Sequence, residues 1–509
     1  MKTTFKITVL LFLAFFTFQS CEDKDMDDVP APANLEVNDF IWKGLNLYYL
    51  WQADVPNLAD KRFANQTALN NFLKGYSKPE DLFESLLNKP KSLYPKKDVV
   101  DRFSWIVSDY LELEGELQGT TKNNGMDFGL YYKVSGSNEI FGWVRYILPN
   151  SDAAAKDIKR GAIFYGVNGV QLTDKNFQDL LLNSESYTLN LADYNNGAIT
   201  PNGKSVNLTK TVLNENPILI NKIIETSGHK IGYLMYNGFY SNYDTQLNDA
   251  FASLKGVTDL VLDLRYNSGG SIQSATRLAS MITGESTTDK VFSKERWNNK
   301  INAYFESEDP DALKNLFVDK MGSTPLNRLN LTKVYILTTQ STASASELII
   351  NGLKPYIDVV QIGDLTTGKN VGSITIYDSP TFGKENRNPN HRYAMQPIVF
   401  KTVNAADFGD YFNGLTPAKG NLLPEDINNL GVLGNSETKM IDNKETLISN
   451  DPLLDLAFAK ITGRPTGITT KKKKSVPQIQ FNYLGDSKSI TNQNQMYIDK
   501  VPAGLLKSL

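Results

Sequence analysis

The stretch from Lys333 to Ser373 reads KVYILTTQSTASASELIINGLKPYIDVVQIGDLTTGKNVGS. Lys333 to Leu337 alternate as a half-buried strand does, and from Ser344 to Leu353 the apolar residues Ala345, Leu348, Ile349 and Leu353 recur at helical spacing. A strand therefore runs into a helix through a turn crowded with small hydroxylated residues. Asp358 to Gly363 reads as the next strand, and the loop after it delivers Lys369 ahead of a further alternating run, Val371 to Tyr377. A strand, a helix and a parallel strand place the loops that follow successive strands at one sheet edge, so Ser344 and Lys369 are expected on the same rim.

Taken alone, Ser344 has two readings. With Glu347 three positions on, it is a helix cap, the serine oxygen and the carboxylate satisfying free amides of the first turn. It is also well placed to be a nucleophile, because the unpaired N–H groups and positive dipole end of a helix face any nearby oxyanion. A serine hydroxyl needs a base, and a lysine serves if burial lowers its pKa towards neutrality. Lys369 is otherwise an ordinary surface lysine. Spacing does not separate Ser344 from Ser346.

Upstream, Val257 to Leu264 (VTDLVLDL) is a near-continuous apolar strand of the kind buried in parallel sheets. It runs through Asp263-Leu264-Arg265 to Gly269-Gly270 and then into a helix carrying Ala275, Leu278, Met281 and Ile282. A glycine pair at such a junction lets the backbone turn its amides outward; the glycine and lysine spacing of a nucleotide-binding P-loop is missing.

The run Ser341-Thr342-Ala343-Ser344-Ala345-Ser346-Glu347, followed by Gly368-Lys369 and preceded by Leu262-Asp263-Leu264-Arg265 with Gly269-Gly270, resembles the carboxy-terminal-processing (tail-specific) serine peptidases. The resemblance implies an α/β core of the ClpP/crotonase kind, with Ser344 as nucleophile and Lys369 as general base. It also implies an oxyanion hole from the amides of Ala345 and of Gly269 or Gly270. Many relatives carry Phe-Gly-Lys-Gly and a glutamine four residues after the lysine. Here the text is Thr367-Gly368-Lys369-Asn370, and Ser373 stands at the fourth position as the candidate residue that orients the lysine.

Composition narrows the field by elimination. A chain of 509 residues suggests several domains, and a net charge of −3 offers no basic excess to neutralise phosphates, which argues against a nucleic-acid partner. With one cysteine, Cys21, and two histidines, His229 and His391, an internal disulfide is impossible and a Cys/His zinc site lacks ligands. A Ser-His-Asp triad would have to draw on one of two histidines in polar loops, so a lysine base is the more natural choice. No metal or organic cofactor is expected.

The rest of the chain divides as follows. Residues 1–20 carry Lys2 and Lys6 before an apolar run, as a secretory signal does, and the ending Phe18-Gln19-Ser20-Cys21 resembles a bacterial lipoprotein signal that leaves Cys21 lipid-modified. Residues 21–36, acidic and then rich in Pro and Ala, read as a tether. Residues 37–110 read as a small helical domain, with Asn38 capping one helix and Ser77-Lys78-Pro79-Glu80 opening another. Residues 111–215 change to strand periodicity, with Asn168-Gly169 as a hairpin turn. They resemble a PDZ domain whose peptide-binding loop is Phe128-Gly129-Leu130, a loop that offers amides to a C-terminal carboxylate while the next strand pairs with the peptide. Residues 216–465 form the peptidase core and close on a helix started by Asp451 with Pro452 at its first position. Residues 287–332 look like a polar helical insertion, and residues 466–509 like a polar, mobile tail.

The expectation is thus a multidomain α/β (α+β) serine endopeptidase, secreted across the inner membrane and lipid-anchored at Cys21 in the cell envelope, with polypeptide C-terminal tails as substrates. The alternative is a non-catalytic peptide- or lipid-binding lipoprotein that retains the fold.

Overall fold

A computed structural model describes residues 31–94, 96–195, 197–226, 228–465, 481–491 and 495–498. The expected signal peptide and Cys21 lie outside the described residues.

The core is a five-stranded sheet in the order Ile218–Thr226, His229–Tyr236, Asp259–Asp263, Lys333–Thr338, Asp358–Gly363, the first pair antiparallel and the rest parallel. Its central strands are apolar over most of their length because both faces are buried there, whereas the edge strand Ile218–Thr226 is only half-buried. Leu260, Leu262, Val334 and Ile336 pack on one face with the helices Ile272–Thr283 and Ala345–Leu353. Val261, Tyr335 and Leu337 pack on the other with the helix Pro452–Thr462. That last helix begins as its sequence implies, Asp451 accepting a hydrogen bond from the Leu453 amide, and ends on Gly463 at φ +68.

A second sheet, in the order Gly270–Ser271, Met496–Tyr497, Val371–Ser373, Ile398–Asn404, Val291–Trp297, Lys314–Leu316, flanks the first. Its strand Val291–Trp297 falls where an all-helical insertion is expected; only Asn299–Glu308 in that region is a helix of that kind. The strand escapes a hydropathy reading because Ser293 and Glu295 are among its buried positions.

The segment 111–215 supplies six strands of a seven-stranded sheet, the seventh being Tyr483–Asp486. Asn168 and Gly169 take φ of +53 and +79, the turn their sequence predicts. Phe128, Gly129 and Leu130 are not in a loop. They lie inside the strand Met126–Tyr132, paired on one side with Val144, Trp143 and Gly142 and on the other with the chain's own segment Tyr483–Asp486. The run MDFGLYY extends because strand partners flank it on both sides.

Near the N-terminus, the helices Glu36–Tyr48, Gln66–Leu73 and Pro79–Ser85 bury Tyr48, Tyr49 and Phe83 in one cluster with Ile376, Met395 and Phe400 of the peptidase core. Trp105–Val107 pairs with Ala394–Gln396, tying the two regions further. Asn38 sits within the first helix rather than capping it, its side chain donating to the carbonyls of Leu73 and Tyr76.

The expected mobile tail is a further departure. Residues 483–486 and 496–497 are strands in two different sheets, and Asp486, Lys488, Gln495, Met496 and Tyr497 are buried. Among the described residues no helix is long and apolar enough to cross a membrane.

Candidate active site

The strand Lys333–Thr338 delivers the chain into a turn that ends at Ser344, immediately before the helix Ala345–Leu353. Ser344 has φ +64 and ψ −119, a conformation that costs a non-glycine residue about 1–3 kcal/mol and persists where surrounding contacts enforce it. Its amide donates to Glu347 Oε2 at 2.8 Å, while its Oγ, fully buried, makes no hydrogen bond. Ser344 and Glu347 stand as the expected capping box, with the carboxylate supplying its hydrogen bond. Ser346 is different, since its Oγ donates to the Asn267 carbonyl at 3.1 Å. Geometry thus separates the two serines that spacing left equivalent.

Lys369 is fully buried. Burial lowers its amine to about 7, against the pull of the Asp101 and Glu347 charges, and Arg102 adds to the lowering. The ring of Phe103 lies 4.9 Å from Nζ. Arg102 donates to the carbonyl of Gly368, the residue before the lysine, at 2.5 Å and to that of Phe412 at 2.9 Å. The segment 101–103 thereby walls the lysine off from water. Sequence reasoning missed these residues, because nothing local announces that a chain segment so far upstream closes the pocket.

Glu347 joins the two halves of the site. Its Oε2 accepts from the amides of both Ser344 and Lys369, each at 2.8 Å, and its Oε1 accepts from the Gly368 amide at 2.7 Å and Thr366 Oγ1 at 2.5 Å. The backbone nitrogens of Ser344 and Lys369 are therefore within two hydrogen-bond lengths of each other. Burial pushes the Glu347 carboxyl up, and these four donors oppose it. Each oxygen serves two donors, so an amide in its place would turn its NH2 against two of them whichever way it flips. Glu347→Gln is expected to lower stability by about 2–5 kcal/mol, read as a lower urea midpoint at unchanged slope.

The glycine pair divides its labour. Gly269 spends its amide on Asn267 Oδ1 at 2.9 Å, whereas the Gly270 amide donates at 2.5 Å to the carbonyl of Gln495. Both glycines have positive φ, +109 and +138. A Cβ on Gly269 would overlap the Gln495 carbonyl oxygen and stand 2.5 Å from Ser344 Cβ and 2.8 Å from its Oγ. Ala345, the first helical residue, has an amide with no intrahelical acceptor. Ser373 Oγ donates to the Met496 carbonyl at 3.3 Å. The two histidines are engaged elsewhere, His229 with Asp259 and His391 with Asp378. Asp263 and Arg265 belong to a buried charge cluster with Asp451 and Glu425.

An unbonded alcohol in a strained strand-to-helix turn, facing an amide donor that already holds a peptide carbonyl, is equipped for acyl transfer, the chemistry of serine-type peptidases. Known proteins fall in with this. Residues 230–378 match the model of Peptidase family S41, and residues 36–105 match the Peptidase S41 N-terminal domain. Residues 230–378 thus form a domain of peptidase family S41, the family of the carboxyl-terminal-processing serine peptidases, and residues 36–105 the N-terminal domain that goes with it.

A carboxyl-terminal-processing protease of Picosynechococcus is 28% identical over 168 residues, 33% of this chain and 35% of the relative. The chloroplastic carboxyl-terminal-processing peptidase 1 of Arabidopsis thaliana is 25% identical over 225 residues, 43% of this chain and 42% of the relative. The match thus spans well under half the length of these curated relatives. A crystal structure from Bacteroides fragilis, assigned to the S41 proteases, is similar with a TM-score of 0.59 and 26% identity over 83% of this chain and 97% of that one.

Proposed function

We propose that this protein is a serine endopeptidase that hydrolyses peptide bonds near the C-termini of polypeptides through a Ser344/Lys369 dyad. Neutral Lys369 takes the proton of Ser344 Oγ as the oxygen attacks the scissile carbonyl, then gives it to the leaving amine; water repeats the cycle on the acyl-enzyme. The amides of Gly270 and Ala345 hold the oxyanion, each contributing about 3–4 kcal/mol of transition-state stabilisation. The observation that carries this reading is the complete burial of Lys369, which brings its amine to about 7 and makes a neutral base available at physiological pH.

The segment 111–215 acts as a PDZ-like module that gates the site, the strand bearing Phe128, Gly129 and Leu130 holding the chain's own Tyr483–Asp486 on the edge where a peptide would pair. Support comes from the antiparallel pairing of an extended segment on that strand. In the cell the protein is lipid-anchored at Cys21 in the envelope, a reading that rests on the sequence of residues 1–21.

Incubation with unfolded casein tests the activity. New chain ends close to the casein C-terminus are the expected result, read by mass spectrometry. Binding of casein without any new chain ends would instead indicate a protein that keeps the fold for ligand capture.

A further inference from the structure

The C-terminal segment does not merely complete a sheet. Residues 483–491 are anchored by buried groups to the seven-stranded sheet and to the end of the core strand His229–Tyr236. Asp486 pairs with buried Arg145 at 3.3 Å, and Lys488 Nζ donates to the Asn237 carbonyl at 2.7 Å. Beyond them the chain re-enters the described residues at Gln495, inside the catalytic cleft. Met496 and Tyr497 run parallel to Gly270 and Ser271 on one side, and Tyr497 is parallel to Ser373 on the other. The Met496 carbonyl accepts from Ser373 Oγ, and Tyr497 Oη donates to the Leu117 carbonyl at 2.7 Å.

The register matters most. Of the carbonyls in this segment, the one on the Gly270 amide is that of Gln495, and the same bare Gly269 Cα edge is crowded by that oxygen and by the side chain of Ser344. A strand added only to finish a sheet has no need to bring a carbonyl against an unbonded, buried serine hydroxyl. Nor does it need two positive-φ glycines to make the approach sterically open. An extended peptide lying in this register is arranged as a substrate is, its Gln495 carbonyl on the Gly270 amide and on the same edge of Gly269 as the Ser344 side chain.

We infer that the protein cleaves its own C-terminal segment at the Gln495–Met496 bond, in cis, and thereby clears its cleft for other polypeptides. The inference rests on the Ser344 reading above. Ser344 Oγ bonds to the Gln495 carbonyl carbon while its proton passes to Lys369. The C–N bond to Met496 breaks, and the proton passes to the Met496 nitrogen, which leaves as an amine. Water then hydrolyses the ester, leaving a carboxylate on Gln495 and a restored serine. The anchors at Asp486 and Lys488 stay with the body of the protein, whereas the new chain end at Met496 is no longer tethered to them and is held by non-covalent contacts alone, its strand pairing, the burial of Met496 and the Tyr497 hydrogen bond among them.

The test uses the full chain. Wild type, Ser344→Ala and Tyr497→Gly are held at neutral pH at two protein concentrations, with and without unfolded casein, and followed by intact-mass spectrometry. Wild type is expected to convert to a chain ending at Gln495 at a rate per molecule that does not depend on concentration. Casein cleavage should show a lag that tracks this conversion, and Ser344→Ala should stay whole. Tyr497→Gly, whose segment is loosened by loss of a ring and a hydrogen bond, should cut itself at least about tenfold more slowly and cut casein without the lag. If wild type or Tyr497→Gly cuts casein while the wild-type Gln495–Met496 bond stays whole, the inference is overturned and the Ser344 reading stands. If no form cuts casein, both fall together.

Discussion

Ser344→Ala is expected to leave a folded protein that turns over unfolded polypeptide at least about 10⁴-fold more slowly than wild type, since removing a serine nucleophile alone abolishes covalent catalysis. The substitution removes an oxygen that makes no hydrogen bond, so the fold loses none. Stability should be unchanged or slightly raised, because alanine gives up no buried polar group. Activity assays beside urea unfolding check both halves. The same experiment on Ser346→Ala is a control, since that hydroxyl is committed to the Asn267 carbonyl. Its loss should cost about 1 kcal/mol of stability and leave catalysis largely intact.

Lys369→Met is the second large effect, with turnover reduced at least about 10³-fold through loss of the general base. Here the stability prediction has the opposite sign from what removing a charged residue usually brings. The amine is held near 7 in the folded protein, below its ordinary value of 10.5. Below about pH 7 the lysine is charged in both states, and the folded protein bears the full cost of a buried cation. Between about 7 and 10.5 the unfolded chain binds more protons, so the cost declines as pH rises. Methionine fills similar space without charge. Lys369→Met should therefore be more stable than wild type at pH 6, with the gap closing as pH rises, a pattern thermal unfolding can follow. Loss of activity together with gain of stability separates a catalytic role from a structural one.

Much of this site is legible in the text of the chain because it is built from adjacent strand–helix–strand units. The apolar run VTDLVLDL marks a strand buried on both faces, and both faces are indeed covered. The hydroxyl-rich turn at Ser344 and the glycine pair at 269–270 sit at strand ends, where backbone geometry is local and their residue types announce it. What was not legible depends on partners distant in sequence. Nothing around Arg102 and Phe103 signals that they close the pocket over Lys369. Glu347 reads as a capping residue, and only the folded chain brings the amides of Gly368 and Lys369 to it.

The strand Val291–Trp297 hides for a different reason, since two of its buried positions are polar. The C-terminal segment hides for a third. Its apolar residues are too sparse in sequence to suggest packing, and strand pairing and buried ion pairs bring those few, Met496 among them, into the cores. Phe128-Gly129-Leu130 shows how the same text changes meaning with context, a loop in the PDZ-like reading but a strand where a second strand lies along its edge.

The pH dependence of kcat/KM on an unfolded polypeptide, taken from about pH 5 to 9 after the Gln495–Met496 bond has been cut, addresses the neutral lysine most directly. Wild type should gain activity as pH rises through a midpoint near 7 and then level off, following loss of the proton from Lys369. A rate that stays constant across that range would contradict a base that must shed its charge before Ser344 can attack.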